Sequence, residues 1–323
     1  MNKKLYPLKF HPILKDKIWG GEKLNKQLKK PSSSKNLGES WEISTIPGDV
    51  SVVANGFLKG QSLQELIENY SLAILGNKNL KRFGENFPLL IKFIDAKEDL
   101  SIQLHPDDKL AKARHKSFGK TEMWYVMQAD DDANLIVGFN REMDKDTYLR
   151  HLEEKTLTKV LNFDNVKEGD TYFIEAGRVH AIGAGVMLAE IQQTSDITYR
   201  VYDWDRVDEA GNKRELHNDI AIDAFKFDLK DNYKVSYDKE KNVSNKMVNC
   251  PFFTTNYLDL DTYVSLKNNH DSFVIYICVD GEAEVVTENS KEFISKGETI
   301  IIPACIKDYS LKTVSAKLLE VYI

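Results

Sequence analysis

The chain has 323 residues, 42% hydrophobic and 29% charged, the make-up of a globular protein long enough for two domains of ordinary size. Its 44 basic and 50 acidic residues leave a formal charge of −6 with no long single-sign block, which argues against a nucleic-acid footprint and for a small ligand. No apolar run approaches the roughly 20 residues of a membrane span, and Met1-Asn2-Lys3-Lys4-Leu5-Tyr6-Pro7 has no apolar segment behind its lysines, so a cytoplasmic chain without membrane partners is expected.

In chain order, Asn36-Leu37-Gly38-Glu39-Ser40-Trp41-Glu42-Ile43-Ser44 reads as a strand entered from a turn. Ser62-Leu63-Gln64-Glu65-Leu66-Ile67-Glu68-Asn69-Tyr70 has its leucines and isoleucine at helical spacing. From Phe87 onward strands dominate. Pro88-Leu89-Leu90-Ile91-Lys92-Phe93-Ile94-Asp95-Ala96 is a buried apolar strand broken by one lysine, and Glu122 to Met127 and Thr171 to Ile174 follow in the same style.

A repeat organises the rest. Gly169-Asp170-Thr171-Tyr172-Phe173-Ile174-Glu175-Ala176 aligns with Gly297-Glu298-Thr299-Ile300-Ile301-Ile302-Pro303-Ala304. Upstream, Trp124 to Asp130 aligns with Val274 to Asp280, each an apolar strand ending in aspartate. Repeated short strands predict a mainly β chain of two jelly-roll sandwich modules, with a few helices in the N-terminal half. The charged, turn-rich stretch from Asn218 to Asn242 is taken as the boundary, giving a larger unit over 1–230 and a β module over 231–323. Cys250, Cys278 and Cys305 are odd in number, far apart and set among apolar residues, so buried free thiols are expected.

Two histidine-bearing segments carry the chemistry. Gly169 to His180 resembles the second motif of the cupin superfamily, with Glu175 at its proline position, Gly177 as second glycine and His180 as ligand. Gln103-Leu104-His105 resembles the histidine pair of the first motif, with Glu122 following after an insertion. Side chains two apart on a strand share a face, so Gln103 and His105 can reach one ion together. Two imidazoles, a carboxylate and an amide oxygen form a donor set that suits zinc and leaves positions for water or ligand hydroxyls. The aligned copy has Asp308 against His180 and Ser272 against Glu122, so one metal per chain is expected.

Ser101-Ile102-Gln103-Leu104-His105-Pro106-Asp107, Gly119-Lys120-Thr121-Glu122-Met123-Trp124, Val179-His180-Ala181, the segment Glu190 to Asp203, Trp19-Gly20-Gly21 and Gly38-Glu39-Ser40-Trp41 together resemble the signatures of type I mannose-6-phosphate isomerases, in a short bacterial form. The resemblance covers most of residues 5–210. It implies interconversion of mannose 6-phosphate and fructose 6-phosphate through an enediol, with zinc on Gln103, His105, Glu122 and His180. Arg200 matches the family's catalytic arginine and Glu190 a proton-transfer carboxylate, with Lys120 as an alternative participant. Ser101, Lys92 and Arg206 are candidates for the phosphate, since no glycine-rich phosphate loop is present.

The residues leave other readings open. Gln103 could hydrogen-bond a strand neighbour, Arg200 could pair with Asp203 or Asp205, and Glu190 could be a buried partner of Lys92 or Arg200. Trp19 and Trp41 read as core aromatics before sugar platforms. His11, His115, His151, His217 and His270 lack metal-site company and read as structural or solvated. Another cupin enzyme, such as an iron dioxygenase or a different phosphosugar isomerase, would share the ligands. So would a sugar-binding protein without turnover. Monomer and dimer are both compatible with the sequence.

Overall fold

The computed structural model describes residues 4–207 and 210–323; Met1 to Lys3, part of the stretch read above for a leader, lie outside the described residues. Among the described residues no helix is long and apolar enough to cross a membrane. The architecture is mainly β. A six-stranded sheet runs in the order Thr171–Ile174, Glu122–Ala129, Val186–Gln193, Leu89–Ala96, Ile13–Gly21, Leu37–Ile43, and a five-stranded sheet in the order Leu161–Asn165, Asn134–Phe139, His180–Ile182, Ile102–Leu104, Tyr199–Tyr202.

Side-chain alternation explains how these sheets stack. Trp124, Val126, Ile94 and Leu188 from the larger sheet meet Leu135, Val137 and Ile182 from the smaller one in a single buried cluster. The intervening residues Met123, Tyr125, Met127, Ile91, Phe93 and Ile191 point the other way, against Phe273, Ile275, Ile277, Ile301, Leu319 and Val321. The larger sheet is therefore buried on both faces, which is why its strands read as nearly continuous apolar runs. Full burial of each such side chain is worth about 1.5–3 kcal/mol.

The second module is a seven-stranded sheet built around the long strands Val274–Val286 and Asp308–Tyr322. Irregular register at Cys278/Asp280 and at Glu282/Glu284 bends this sheet around its own core of Leu258, Tyr276, Val285, Ile300 and Leu318. The chain still bonds the first module through Tyr237, whose hydroxyl donates to the Gly169 carbonyl at 2.7 Å. It joins the second at Lys241, bridged to Asp259. A buried ion pair fastens the two: Lys30 Nζ lies 2.6 Å from Glu42 and donates to the Gly297 carbonyl at 2.6 Å.

Local predictions hold with adjustments. The helix at 62–70 spans Leu63–Leu75, opened by a capping box between Ser62 and Glu65 and stopped at Gly76, φ +82. All three cysteines are free, but only Cys278 is buried; Cys250 is intermediate and Cys305 exposed, because Cys305 sits in the turn after the Thr299–Ile302 strand.

The repeat is real in geometry, with its first half shifted. Gly169 (φ +88) and Gly297 (φ +86) open equivalent turns, a backbone region that favours glycine. Their amides donate to Val126 and Cys278 respectively, each at 2.9 Å. That register equates Trp124 with Tyr276 and Glu122 with Val274, correcting the sequence alignment by two residues: the counterpart of Glu122 is an apolar core residue, not Ser272.

Candidate active site and metal centre

His105 follows the Ile102–Leu104 strand, Glu122 opens the Glu122–Ala129 strand and His180 opens His180–Ile182. The three are buried, and one ligand atom from each lies within 4.8 Å of the others. His105 Nδ1 is 2.8 Å from the Ile197 carbonyl and His180 Nδ1 2.8 Å from the Arg178 carbonyl. Since a carbonyl only accepts, each Nδ1 carries the proton, which turns both Nε2 lone pairs inward. They converge on one carboxylate oxygen, Glu122 Oε1, at 3.1 and 3.3 Å.

Three acceptors aimed at one another repel unless a cation lies between them. Glu122 Oε2 and His180 Nε2 have no hydrogen-bond partner although buried. Burial, with Lys120 and the other imidazole close by, holds His105 well below the ordinary histidine range, and burial lowers His180 despite Glu122. Neutral imidazoles beside a carboxylate, each steered by a carbonyl behind it, fit a divalent metal.

The turn that presents His180 is itself clamped. Arg178, fully buried, donates to Glu175 at 3.0 Å and to the Asp228 carboxylate at 2.7 Å, and Lys230 reaches Glu175 at 2.7 Å. Burial would raise the Glu175 carboxyl, but these donors hold it down at about 2.

Beside the triad opens a cavity of about 310 Å³. Its wall includes Gln103, paired across strands with His180 on one side and Arg200 on the other, and Lys120, whose Nζ lies 3.8 Å from Glu122. Lys15, Lys17, Lys92, Arg200 and Arg214 add positive charge against Glu39, Glu190 and Asp196. Cations outnumber carboxylates two to one, so the cavity favours an anionic ligand.

Arg200 is the least compensated of these cations. Its Nε donates to Ser101 Oγ at 3.2 Å and its Nη1 to the Glu215 carbonyl at 3.0 Å, with no carboxylate partner among the described residues. Burial and the neighbouring Arg214 lower its proton affinity. Glu190 is held by the Trp124 indole N–H at 2.9 Å and faces Lys92 at 3.4 Å; burial and the nearby Glu122 push its carboxyl up.

Residues 7–133 match the family described as phosphomannose isomerase type I, catalytic domain, and residues 243–323 match the mannose-6-phosphate isomerase cupin domain. The chain is 34% identical to a mannose-6-phosphate isomerase of Streptococcus mutans over 309 residues, 94% of each protein. It is 33% identical to mannose-6-phosphate isomerase ManA of Bacillus subtilis, covering 95% of this chain and 96% of that one. The chain belongs to the mannose-6-phosphate isomerase family. The crystal structure of the mannose 6-phosphate isomerase from Bacillus subtilis superposes with a TM-score of 0.89 at 32% identity, over 99% of this chain and 100% of that one.

Within this isomerase fold the positions named from sequence divide. His105, Glu122 and His180 meet; Gln103, Ser101, Lys92, Lys120, Glu190 and Arg200 line the adjoining cavity. Arg206 does not line it. Its guanidinium donates to the Asp99 carbonyl at 2.7 Å and to Asp203 at 2.6 Å. Asp203 also takes Arg214, leaving Arg200 unpaired with it. Trp19 and Trp41 are both buried and both on the cavity wall.

Sequence reasoning passed over Lys15, Lys17, Glu39 and Arg214. The first two had a readable signal, since Lys15, Lys17 and Trp19 alternate along the Ile13–Gly21 strand and so share a face. Arg214 had none, lying in an irregular segment folded back onto Asp203.

Proposed function

We propose that this protein is a zinc-dependent aldose–ketose isomerase that interconverts mannose 6-phosphate and fructose 6-phosphate through an enediol. The observation that carries this reading is the convergence of two neutral imidazoles and one carboxylate beside a cationic cavity that also holds Glu190. His105, Glu122 and His180, with the Gln103 amide oxygen as fourth donor, would hold the zinc. When bound, zinc would supply Lewis-acid stabilisation of negative charge developing on a sugar oxygen.

The remaining steps fall to the chain's own groups. Glu190, whose proton affinity is raised by burial and by Glu122, takes the proton from C2 of mannose 6-phosphate and returns it to C1. Lys120, on the cavity wall with its Nζ 3.8 Å from Glu122, is the alternative proton carrier. Arg200 offers a fixed positive charge to the anionic enediol. The phosphate would be held at the mouth by Arg214, Ser101 and the Lys15–Lys17 pair; Lys92 serves the carboxylate of Glu190. The division drawn from the sequence, catalytic unit 1–230 and packing module 231–323, belongs to this reading, with the crossing placed between Tyr237 and Lys241.

Purified, metal-analysed protein incubated with mannose 6-phosphate and with fructose 6-phosphate tests the proposal. Turnover of both, dependent on zinc and abolished by chelation, is expected. A zinc-loaded wild type that converts neither sugar would overturn it, and oxygen uptake with ferrous iron would favour a dioxygenase.

A further inference from the structure

We propose that Trp124 is a positioning residue for Glu190: its indole N–H fixes one carboxylate oxygen, Oε2, so that the other, Oε1, is the oxygen presented to substrate. The inference rests on Glu190 acting as the proton carrier of the isomerase reading. Trp124 and Glu190 face one another across neighbouring strands, both buried, with indole nitrogen and Oε2 2.9 Å apart. Glu190 belongs to the cavity wall; Trp124 does not.

An indole N–H is a donor only. It can neither take the substrate's proton nor accept one from the carboxyl, so it occupies Oε2 and leaves Oε1 as the oxygen to be protonated. Oε1 is also the oxygen nearest Lys92 Nζ, at 3.4 Å, too long to lock it firmly. Without the indole, repulsion from Glu122 would be free to turn the carboxylate away. The ring of Trp124 is wedged as well, edge-on to His180 with centroids 5.3 Å apart, so the packing that sets the imidazole also sets the donor.

The second module provides an independent instance of the same device. Tyr276, equivalent to Trp124 by register, donates its hydroxyl to Glu320 at 2.8 Å, and Glu320 faces Tyr276 across strands as Glu190 faces Trp124. An aromatic donor aimed at a buried carboxylate thus occurs at this position in both modules, an indole in one and a phenol in the other.

The test is a double-mutant cycle with a rescue arm, using the zinc-loaded full chain and mannose 6-phosphate. W124F, which keeps a ring and removes the donor, is expected to lower kcat by about 10- to 100-fold, the weight of a hydrogen bond to a charged group, with KM and zinc content unchanged. W124Y is expected to recover most of the rate, and W124F/E190Q to be no slower than E190Q alone. Should W124F fail to fold, 3-benzothienylalanine at position 124, which keeps the ring shape and lacks the N–H, carries the same expectation. Wild-type kcat in the variant lacking the donor, additive losses in the double variant, or a rate loss matched by zinc loss would each overturn the proposal. A wild type inactive on both sugars defeats the isomerase reading along with it; an active wild type with an unaltered donor-less variant defeats the role of Trp124 alone.

Discussion

The two β modules share a turn, a register and a buried carboxylate, yet among the described residues only one gathers a candidate metal-ligand set. Gln103, paired with His180, corresponds to Lys267, paired with Asp308, and Glu122 corresponds to Val274. In the first module the helix Asp108–His115 separates the ligand strand from Glu122; in the second, a short turn joins Lys267 to Val274. Glu190 is approached by a cation and an indole. Glu320 is enclosed by neutral donors from Ser244 at 2.6 Å, Asn256 at 2.9 Å and Tyr276 at 2.8 Å. The fold therefore accommodates a buried carboxylate at this register held by neutral side-chain donors. The difference lies in what surrounds it: saturated by hydrogen bonds it stabilises, and left partly free beside a cavity it can exchange a proton.

The sharpest way to break this comparison is to truncate the residue at the His180 position in each module. His180→Ala is expected to weaken zinc binding by more than about 100-fold, beyond the loss of a group that merely supports a ligand, whereas Asp308→Ala should leave zinc content intact and stability within about 0.5 kcal/mol. Metal analysis after dialysis, with thermal melts, decides it. Equal zinc loss in both would erase the distinction.

The paired carboxylates come next. Glu190→Gln should lower kcat by about 100- to 10,000-fold, as for loss of a general base, with stability preserved. Glu320→Gln should spare kcat and cost about 1–3 kcal/mol of stability, because its donors lose a charged acceptor. The reverse pattern in steady-state rates and urea melts would make Glu190 a structural residue of the same kind as Glu320. Arg200→Ala should lower kcat/KM by about 100- to 1,000-fold while zinc stays bound; proportionate zinc loss would refute its separation from the metal site.

The smallest effect concerns the turn before each ligand position, where Glu175 in the first module stands against Pro303 in the second. The Glu175 carboxyl is held at about 2 in the folded chain, below its unfolded value of roughly 4.5. A depressed carboxyl stabilises the fold above its unfolded value, and that contribution is lost as pH falls from there through about 2. Glu175→Gln should therefore flatten the stability profile across that acid window, by about 1 kcal/mol once partial exposure is allowed for. Urea melts at stepped pH read the change.

Much of this was legible in the chain alone because it depends on local rules. Period-two alternation placed Gln103 and His105 on one face, the Gly169 and Gly297 turns announced the repeat, and the spacing of Leu63, Leu66 and Ile67 marked a helix. The family signatures pointed to His105, Glu122 and His180, which the fold brings together. Tertiary structure decided the rest. Which of the arginines keeps no carboxylate among the described residues depends on where Asp203 lies: it takes Arg206 and Arg214 and leaves Arg200 on Ser101 and the Glu215 carbonyl, a contest that spacing cannot settle. The register of the Val274–Val286 strand against its turn moved the counterpart of Glu122 from Ser272 to Val274, since a two-residue slip preserves the face and so leaves no trace in the apolar pattern. The pairing of Trp124 with Glu190 joins residues 66 apart in sequence; no local pattern encodes it, and it exists because two strands are neighbours in one sheet.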